Sequence, residues 1–320
     1  MTFGGRQQRR YGDCTRKDAF ALLDHFYEQG GNFVDTASGY QEGESEVLVG
    51  AWMAARQNRD QMSNYGGNNA KSLKYLDLLY VHWWDYTSSI PELMHALNDL
   101  VVAGKVLYLG ISDTPAWVVT KANQYARDHG LRPFAVSQGM WSAGMRDFER
   151  EIIPMARAEG MALCPYGVLN QGRFQTRRGL QERAQQNPGR KFIPTSEDDK
   201  KVSAVLEDLG TAKGAGLVSV ALAYAMQTAL YVFPIVGARK VDHLHGSVAG
   251  LSVALSDEDM QKIEGAYPFD FGFPHTFLSG SMFDDSTPRM ADKPGDVWLT
   301  KMLGKFDWVE PPKPIKPFQQ

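Results

Sequence analysis

Short runs of β-branched and aromatic residues alternate with longer amphipathic stretches from about residue 18 to residue 265. Over residues 17–29, four large apolar side chains fall on one face at helical spacing, and Gly30 follows as a stop signal. The next apolar run, residues 32–35, is too short for a helix and is typical of a buried strand. A chain that alternates such strands with helices is expected to form a parallel sheet covered by helices.

The same alternation predicts the remaining elements. Predicted helices cover residues 17–29, 45–56, 89–103, 116–129, 147–159, 201–213, 218–228 and 256–265. Predicted strands cover residues 32–35, 75–82, 106–112, 134–138, 161–166 and 230–236, with a polar stretch at 173–200. The βα repeats within residues 1–265 have the size of a TIM barrel, and 320 residues suit one such domain or two smaller ones. Residues 266–320 lack a period and are expected to form a C-terminal extension that packs on the barrel.

Composition narrows the class of protein. With 43% hydrophobic and 22% charged residues, the chain is an ordinary globular protein rather than a disordered or collagen-like one. Its longest apolar stretch, residues 217–226, is about half a membrane span. A net charge of −3 argues against nucleic acid as the main partner. Cys14 and Cys164 form neither a disulfide framework nor a metal-ligand spacing, so we expect a cytoplasmic protein without a metal site.

Polar side chains follow the predicted strands. In a barrel of this kind, the residues at the carboxyl ends of the strands carry the chemistry. Here those positions hold Asp35, His82, Ser112, Gln138, Tyr166 and the turn Gly237-Ala238-Arg239-Lys240. One histidine at a strand end is more often structural. Six consecutive strands that end in polar side chains or in a basic turn predict a functional site at this end of the barrel.

On these residues the sequence resembles the aldo-keto reductases, and within them the fungal aryl-alcohol dehydrogenase and norsolorinic acid reductase group. The matching segments are GGNFVDTASGYQEGESE at 30–46, a long run that begins DLLYVHWWDYT at 77–119, RDFEREIIPMARAEGMALCPYGVLNQGRF at 146–174 and FPIVGARKVDHL at 233–244. The resemblance implies a (β/α)8 barrel that binds NADPH in an extended conformation without a Rossmann motif.

The resemblance also implies roles for individual residues. Tyr40 would donate a proton to the substrate carbonyl oxygen, Asp35 would be its charge partner and also touch the cofactor, and His82 would polarise the carbonyl. Four groups of residues would bind the cofactor. The nicotinamide carboxamide would contact Ser112 and Gln138, and the nicotinamide ring would stack on Tyr166. The pyrophosphate would be lined by Gly167, Leu169, Gln171 and Arg173, and the 2′-phosphate end would be bound by Gly237, Arg239, Lys240 and His243.

The residue types agree with this chemistry. Hydride transfer to a carbonyl leaves an alkoxide, which a positioned tyrosine can protonate. A glycine before two cations suits a phosphate monoester, although Arg239 and Lys240 also fit an exposed turn. Trp83 and Trp84 suggest a flat apolar substrate, such as an aromatic aldehyde or a polyketide ketone, or else they are core aromatics.

The chain departs from the family at two barrel strands. Most of the family's first strand is not found before the MTFGG segment. The family also has a third strand that ends in a catalytic lysine, whereas here residues 63–74 alone separate Met62 from the strand that ends at His82, and they hold no apolar run. Lys74 and Lys105 precede their strands and so lie at the opposite mouth, which leaves Lys71 as the one substitute with freedom to move.

Three hypotheses follow. The first is an NADPH-dependent reductase of an aryl aldehyde or polyketide-type ketone, with a small carbonyl compound as partner and no membrane or nucleic acid. The second is an NADPH-binding relative without the lysine that acts as a dehydratase, an isomerase or a regulator. The third is a truncated product that does not fold alone. The sequence leaves the oligomeric state open.

Overall fold

The computed structural model describes residues 1–65, 75–186, 194–284, 286–304 and 307–318. One sheet runs in chain order, and each strand pairs in parallel with the next. Its strands are β1 (Phe33–Asp35), β2 (Ser63–Tyr65), β3 (Leu76–Val81), β4 (Val106–Ser112), β5 (Phe134–Gln138) and β6 (Ala162–Leu163). Parallel strands in consecutive order, with a helix following each of β1, β3, β4 and β5, are typical of a (β/α) barrel wall.

Helices precede, separate and follow these strands. They are α1 (Gln8–Tyr11), α2 (Arg16–Glu28), α3 (Glu44–Arg56), α4 (Ile90–Val102), α5 (Ala116–Asp128), α6 (Phe148–Glu159), α7 (Arg177–Gln186), α8 (Glu197–Ala212), α9 (Leu217–Thr228), α10 (Val241–Ala249), α11 (Asp257–Ala266), α12 (His275–Leu278) and α13 (Trp298–Leu303). No helix within the described ranges is by itself long and apolar enough to cross a membrane, and α8 and α9 meet that test only as a pair bent by 99°.

One helix, α8, begins earlier than predicted because of its N-terminal cap, and two further helices were not predicted. The side chain of Ser196 accepts a hydrogen bond from the backbone N–H of Asp199, and the Asp199 carboxylate accepts one from the backbone of Ser196. This capping box starts α8 at Glu197, inside the stretch that we interpreted as polar and irregular. α7 lies in the same stretch, and α10 follows the predicted basic turn; neither helix was predicted from periodicity.

β2 lies where the sequence indicates no strand. Its register pairs Ser63 with Phe33 and Tyr65 with Asp35, and the backbone N–H of Ser63 donates to Asn32 O over 2.7 Å. The reason is that pairing uses backbone groups, whereas the prediction relied on an apolar side-chain pattern.

The predicted strand at 230–236 continues the sheet beyond β6 through a single bridge between Leu163 and Val232. The backbone N–H groups of Leu163 and Phe233 donate to Tyr231 O and Leu163 O over 2.9 and 2.8 Å. Pro234 has no N–H to donate, which limits regular pairing in this segment.

Buried apolar side chains form separate clusters around the sheet. The largest lies between β3–β6 and helices α4, α5, α6 and α9, and it includes the fully buried Met94, Leu109 and Trp141. A smaller cluster joins α2, α3 and β1 around Leu23 and Trp52. The core is therefore much broader behind β3–β6 than behind β1 and β2.

The C-terminal extension follows the outside of α6. Near the start of that helix, the Arg150 guanidinium donates to Asp270 O and Phe271 O, each over 2.9 Å. Near its end, Arg157 pairs with Asp292 over 2.7 Å. Further along, Lys316 Nζ donates to Leu255 O over 2.8 Å. These contacts hold the extension against the helical layer.

Candidate active site

Parallel pairing brings the predicted residues to one end of the sheet. Ser112 and Gln138 are register partners at the ends of β4 and β5. Asp35 ends β1, and His82 directly follows β3. A bridge between Met140 and Tyr166 extends the same edge beyond β5 and β6. The side chains expected to act together therefore share one mouth.

Asp35 accepts a hydrogen bond from Gln138 across the mouth, with 3.1 Å between Gln138 Nε2 and Asp35 Oδ2. Burial raises the pKa of the Asp35 carboxyl, while the Gln138 hydrogen bond and the nearby His82 lower it by smaller amounts. The sequence predicted both residues but not the contact between them, which joins elements separated by about a hundred positions.

Tyr80 and Cys164 lie beside this pair and were not predicted. Burial raises the pKa of Tyr80, and the neighbouring Cys164 and Asp35 raise it further, whereas a hydrogen bond with Gln138 lowers it. Burial also raises the pKa of the Cys164 thiol to about 12, so this cysteine is a protonated, inert group at neutral pH. A side chain on Gly110 would collide with the Tyr80 ring, and this glycine in a strand was the available signal.

A tight 3-10 turn, Tyr40–Gly43, presents Tyr40 just after β1. The backbone N–H of Tyr40 donates to Ala37 O over 3.0 Å, and the side chain is partly buried. The next residue, Gln41, has φ 52° and is fully buried. Its side chain accepts from the backbone N–H of Gln7 and donates to Met1 O, over 2.7 and 3.0 Å. These bonds fix the turn that carries Tyr40.

The two tryptophans after His82 lie in different surroundings. His82 is exposed, and its ring lies 4.4 Å from that of Trp83, which is 59% exposed. Trp84 packs against the large apolar cluster and contacts Tyr86 edge-on with 6.3 Å between ring centroids. Trp83 is thus open to a ligand, whereas Trp84 matches the alternative interpretation as a core aromatic.

A third group surrounds Tyr166. Its hydroxyl donates to the carboxylate of Asp113, with distances of 3.2 and 3.1 Å to the two oxygens. Ser112 is buried, and its Oγ lies 3.4 Å from Asp113 Oδ2. Burial and the Asp113 carboxylate together raise the pKa of Tyr166 to about 12. Asp113 was not among the predicted site residues.

The loop after β6 holds the residues that the resemblance assigns to the pyrophosphate. Gly167 has φ 72°, a conformation that favours glycine, and Leu169 and Gln171 follow in a short 3-10 turn. Arg173 is buried, and its Nε lies 3.1 Å from Asp199 Oδ2. Its guanidinium also donates to the side chain of Asn170. The structure therefore places Arg173 in a buried ion pair.

Cationic side chains gather at the start of α10. Lys240 is the N-cap residue, and Arg239 precedes it in a turn where Gly237 is exposed. Burial and the charges of Arg239 and Lys240 lower the pKa of His243. The guanidinium of Arg239 lies directly over Gly12, so a side chain at that glycine would displace it. Lys71 and Lys74, which we considered as substitutes for the family's lysine, lie outside the described residues.

Comparison with known proteins decides the family. The protein-family model described as "Aldo/keto reductase family" matches residues 1–63 and 69–268. The chain belongs to the aldo/keto reductase family. This membership confirms the resemblance and makes the protein an oxidoreductase by family.

Curated relatives place this aldo/keto reductase beside fungal enzymes. It is 57% identical to norsolorinic acid reductase B of Dothistroma septosporum, over all of this chain and 90% of that protein. It is 58% identical to norsolorinic acid reductase B of Aspergillus parasiticus, over 99% of this chain and 92% of that protein. An aryl-alcohol dehydrogenase of Pestalotiopsis microspora is 46% identical, over the full chain and 88% of that protein.

A solved structure supports the fold class. The aldo/keto reductase of Klebsiella pneumoniae, solved with NADP and acetate, aligns with a TM-score of 0.62 and 21% identity, covering 79% of this chain and 86% of that one. The expected barrel-type α/β fold is thereby confirmed.

The comparisons also mark the departure at the third strand. The family match is interrupted at residues 64–68, a gap that includes the last two residues of β2. The alignment with the Dothistroma protein runs over 352 positions, more than the 320 residues of this chain, so that relative carries additional residues inside the aligned length.

Proposed function

We propose that this aldo/keto reductase uses NADPH to reduce an aryl aldehyde or a polyketide-type ketone to the alcohol. The observation that carries the proposal is the convergence of Asp35, Gln138, Ser112 and Tyr166 at the ends of β1, β5, β4 and β6. The names of the fungal relatives, norsolorinic acid reductase and aryl-alcohol dehydrogenase, support this substrate class.

The residues at the start of α10 fit the phosphate end of NADPH. Arg239 and Lys240 provide positive charge, and a helix N-terminus adds unpaired backbone N–H groups. His243 lies beside them, and burial together with their charges lowers its pKa, so it would contribute as a neutral hydrogen-bonding ring. The left-handed conformation of Gly167 lets backbone approach a pyrophosphate closely. Arg173 is held by Asp199 and would have to leave that pair to contact a phosphate. The Klebsiella relative was solved with NADP, which agrees with this donor set.

Each side chain then has a stated task in reduction. The bound cofactor supplies a hydride to the carbonyl carbon. Tyr40 donates its hydroxyl proton to the carbonyl oxygen as negative charge develops there. His82 donates a hydrogen bond to the same oxygen, and exposed Trp83 provides a flat apolar surface for an aryl group. Gln138 holds the Asp35 carboxylate in place.

Among the described residues, the charges that lower the pKa of Asp35 are those of the N-terminal ammonium and of His82. A neighbouring ammonium would stabilise a tyrosinate, which alcohol oxidation requires. The neutral Tyr40 hydroxyl is the form that donates a proton in reduction.

Replacing Tyr40 tests the assignment. Tyr40→Phe is expected to lower NADPH oxidation with an aromatic aldehyde by about 10² to 10⁴, while the dissociation constant for NADPH, measured by fluorescence, stays the same. Tyr108→Phe is the control, because Tyr108 is exposed near the opposite end of β4. An unchanged turnover in Tyr40→Phe would refute the assigned proton donor.

A second candidate is a non-redox descendant, and the interruption of the family match at residues 64–68 favours it. That protein would bind NADPH and use Tyr40 and His82 for dehydration or isomerisation. Tight NADPH binding without oxidation by any aromatic aldehyde or ketone would support this candidate over the reductase.

A further inference from the structure

Asp113 stands at the mouth where β4 ends, and its backbone is in the left-handed region with φ 42°. Its backbone N–H donates to Gln138 O over 3.0 Å, which ties it to the end of β5. Its carboxylate faces the Tyr166 hydroxyl at 3.2 and 3.1 Å and the Ser112 hydroxyl at 3.4 Å. The position of this carboxylate is therefore fixed on both sides.

Hydrogen bonding alone does not require a charge at this position. Asparagine adopts left-handed φ readily, has the same size and can accept the same hydrogen bond from Tyr166. A carboxylate here instead adds one negative charge, although burial, the largest influence, raises the pKa of the Asp113 carboxyl. The hydroxyls of Tyr166 and Ser112 and the nearby His82 stabilise the charged form. A carboxyl group with three groups that favour its ionised form therefore stands where a neutral amide would fit.

That charge lies beside the proposed nicotinamide site. Under the proposed function, the nicotinamide ring stacks on Tyr166 and its carboxamide lies between Ser112 and Gln138, the two residues that flank Asp113. The nicotinamide ring is positively charged in the oxidised cofactor and neutral in the reduced one. A fixed negative charge a few ångströms away attracts the oxidised form and is nearly indifferent to the reduced form.

We propose that Asp113 sets the preference between oxidised and reduced cofactor by lowering the dissociation constant for NADP⁺ relative to that for NADPH. The equilibrium between protein-bound substrates and protein-bound products thereby favours carbonyl reduction. In that reaction, hydride leaves the reduced cofactor for the carbonyl carbon, the Tyr40 proton goes to the oxygen, and the cofactor becomes the cation that Asp113 attracts. The inference rests on the proposed function and adds the direction of the reaction.

Substitution of Asp113 by asparagine removes the charge and keeps the shape. NADPH affinity is measured by fluorescence titration, and NADP⁺ affinity by displacement of bound NADPH. In Asp113→Asn, the dissociation constant for NADP⁺ should rise roughly fivefold, since a charge pair at this range in a partly solvated site is worth about one kcal/mol. The constant for NADPH should stay within about twofold, and raising the salt concentration should shrink the difference between wild type and variant.

Asp85→Asn is the matched control. Asp85 lies at the same mouth after β3, is exposed, and uses Oδ1 to accept the backbone N–H groups of Thr87 and Ser88 over 2.8 and 2.9 Å. Its substitution removes an equal charge farther from Tyr166 and should leave both dissociation constants unchanged. If Asp113→Asn does not fold, Asp113→Ser removes the same charge and serves in its place.

The outcomes separate the inference from the proposed function. A selective loss of NADP⁺ affinity in the Asp113 variant alone would support the inference. Equal changes in the two constants, or an equal loss of NADP⁺ affinity in Asp85→Asn, would overturn it while leaving NADPH-dependent reduction intact. Failure of the wild-type protein to bind either form would overturn the proposed function and the inference together.

Discussion

The two sides of the barrel wall are built differently. The β3–β6 side comprises β3, β4, β5 and β6 with helices α4, α5, α6 and α9, and its apolar cluster is continuous from Met94 to Trp141. The β1–β2 side comprises β1, β2, α2, α3 and α10. Its two strands have three residues each, and its apolar clusters are small.

Predicted functional residues divide between these sides. Ser112, Gln138 and Tyr166, assigned to the nicotinamide, lie on the β3–β6 side, where broad packing holds the strands. Asp35, Tyr40 and Arg239 lie on the β1–β2 side, which has fewer buried contacts. Regions with few buried contacts open at lower cost in free energy. We infer that the cofactor ring is positioned by the rigid side and that substitutions on the other side affect function more than folding.

The largest expected stability effect is on the β3–β6 side, at Glu149. Its carboxylate lies 2.7 Å from the guanidinium of Arg146, and both side chains are only 7% exposed. It also accepts hydrogen bonds from Trp141 Nε1 and the Tyr224 hydroxyl over 3.2 and 3.4 Å. Glu149→Gln leaves the Arg146 charge buried without its main partner and should lower the free energy of unfolding by about 3 kcal/mol, as measured by urea denaturation.

The exposed pair of Glu197 and Lys200 is the control for this prediction. Their charged atoms are 2.6 Å apart, but both side chains are about half or more exposed. Because exposed pairs contribute little, Glu197→Gln should change stability by less than about 0.5 kcal/mol. Similar losses of stability in the two variants would contradict the prediction that the buried pair contributes more to stability than the exposed one.

The next largest effect is expected from replacing Arg239, and it should change NADPH affinity rather than the stability of the fold. On the β1–β2 side, Arg239→Gln removes a guanidinium from the proposed 2′-phosphate site and should weaken NADPH binding by about tenfold or more. Binding of NADH, which lacks that phosphate, should stay the same, and so should the thermal midpoint. Arg177→Gln, on an exposed pair with Asp208, should affect neither ligand. An equal loss for NADH would exclude a contact with the 2′-phosphate.

Predictability from the sequence follows the same division. β3, β4 and β5 were predicted within one or two residues, because their apolar runs reflect burial against the broad core. β2 was missed, since three residues without an apolar pattern pair through the backbone alone. α8 began early for a local reason, the capping box at Ser196, which the sequence displays but periodicity does not reveal.

The sequence predicted which residues lie at the candidate site, but it did not predict which of them contact each other. The strand-end positions identified Asp35, Gln138 and Tyr166, because parallel strands end at a common edge. The bond from Gln138 to Asp35 and the engagement of Tyr166 with Asp113 depend on rotamers and on distances between elements far apart in the chain. The pairing of Arg173 with Asp199 is of the same kind, and no local pattern predicts it.

The smallest expected effect concerns Asp35 and has the opposite sign. Because the pKa of Asp35 is raised in the folded protein, its ionised form costs stability at pH values above that pKa. Asp35→Asn removes the charge and can still accept from Gln138, so it should raise the thermal midpoint at pH 7 to 8 by a few degrees while lowering turnover. The gain should shrink as the pH falls and vanish below the unfolded-state pKa of about 4.

Asp24, also on the β1–β2 side, supplies the matched comparison. Arg56 and Trp52 donate to its carboxylate and lower its pKa, with burial as an opposing influence. Asp24→Asn should therefore destabilise the protein at pH 7, and that loss should disappear as the pH falls through the lowered pKa of the wild-type carboxyl. Opposite signs at neutral pH would show that Asp35 is kept for function at a cost to folding. Equal destabilisation by both substitutions would mean that Asp35 is instead a structural carboxylate of the β1–β2 side.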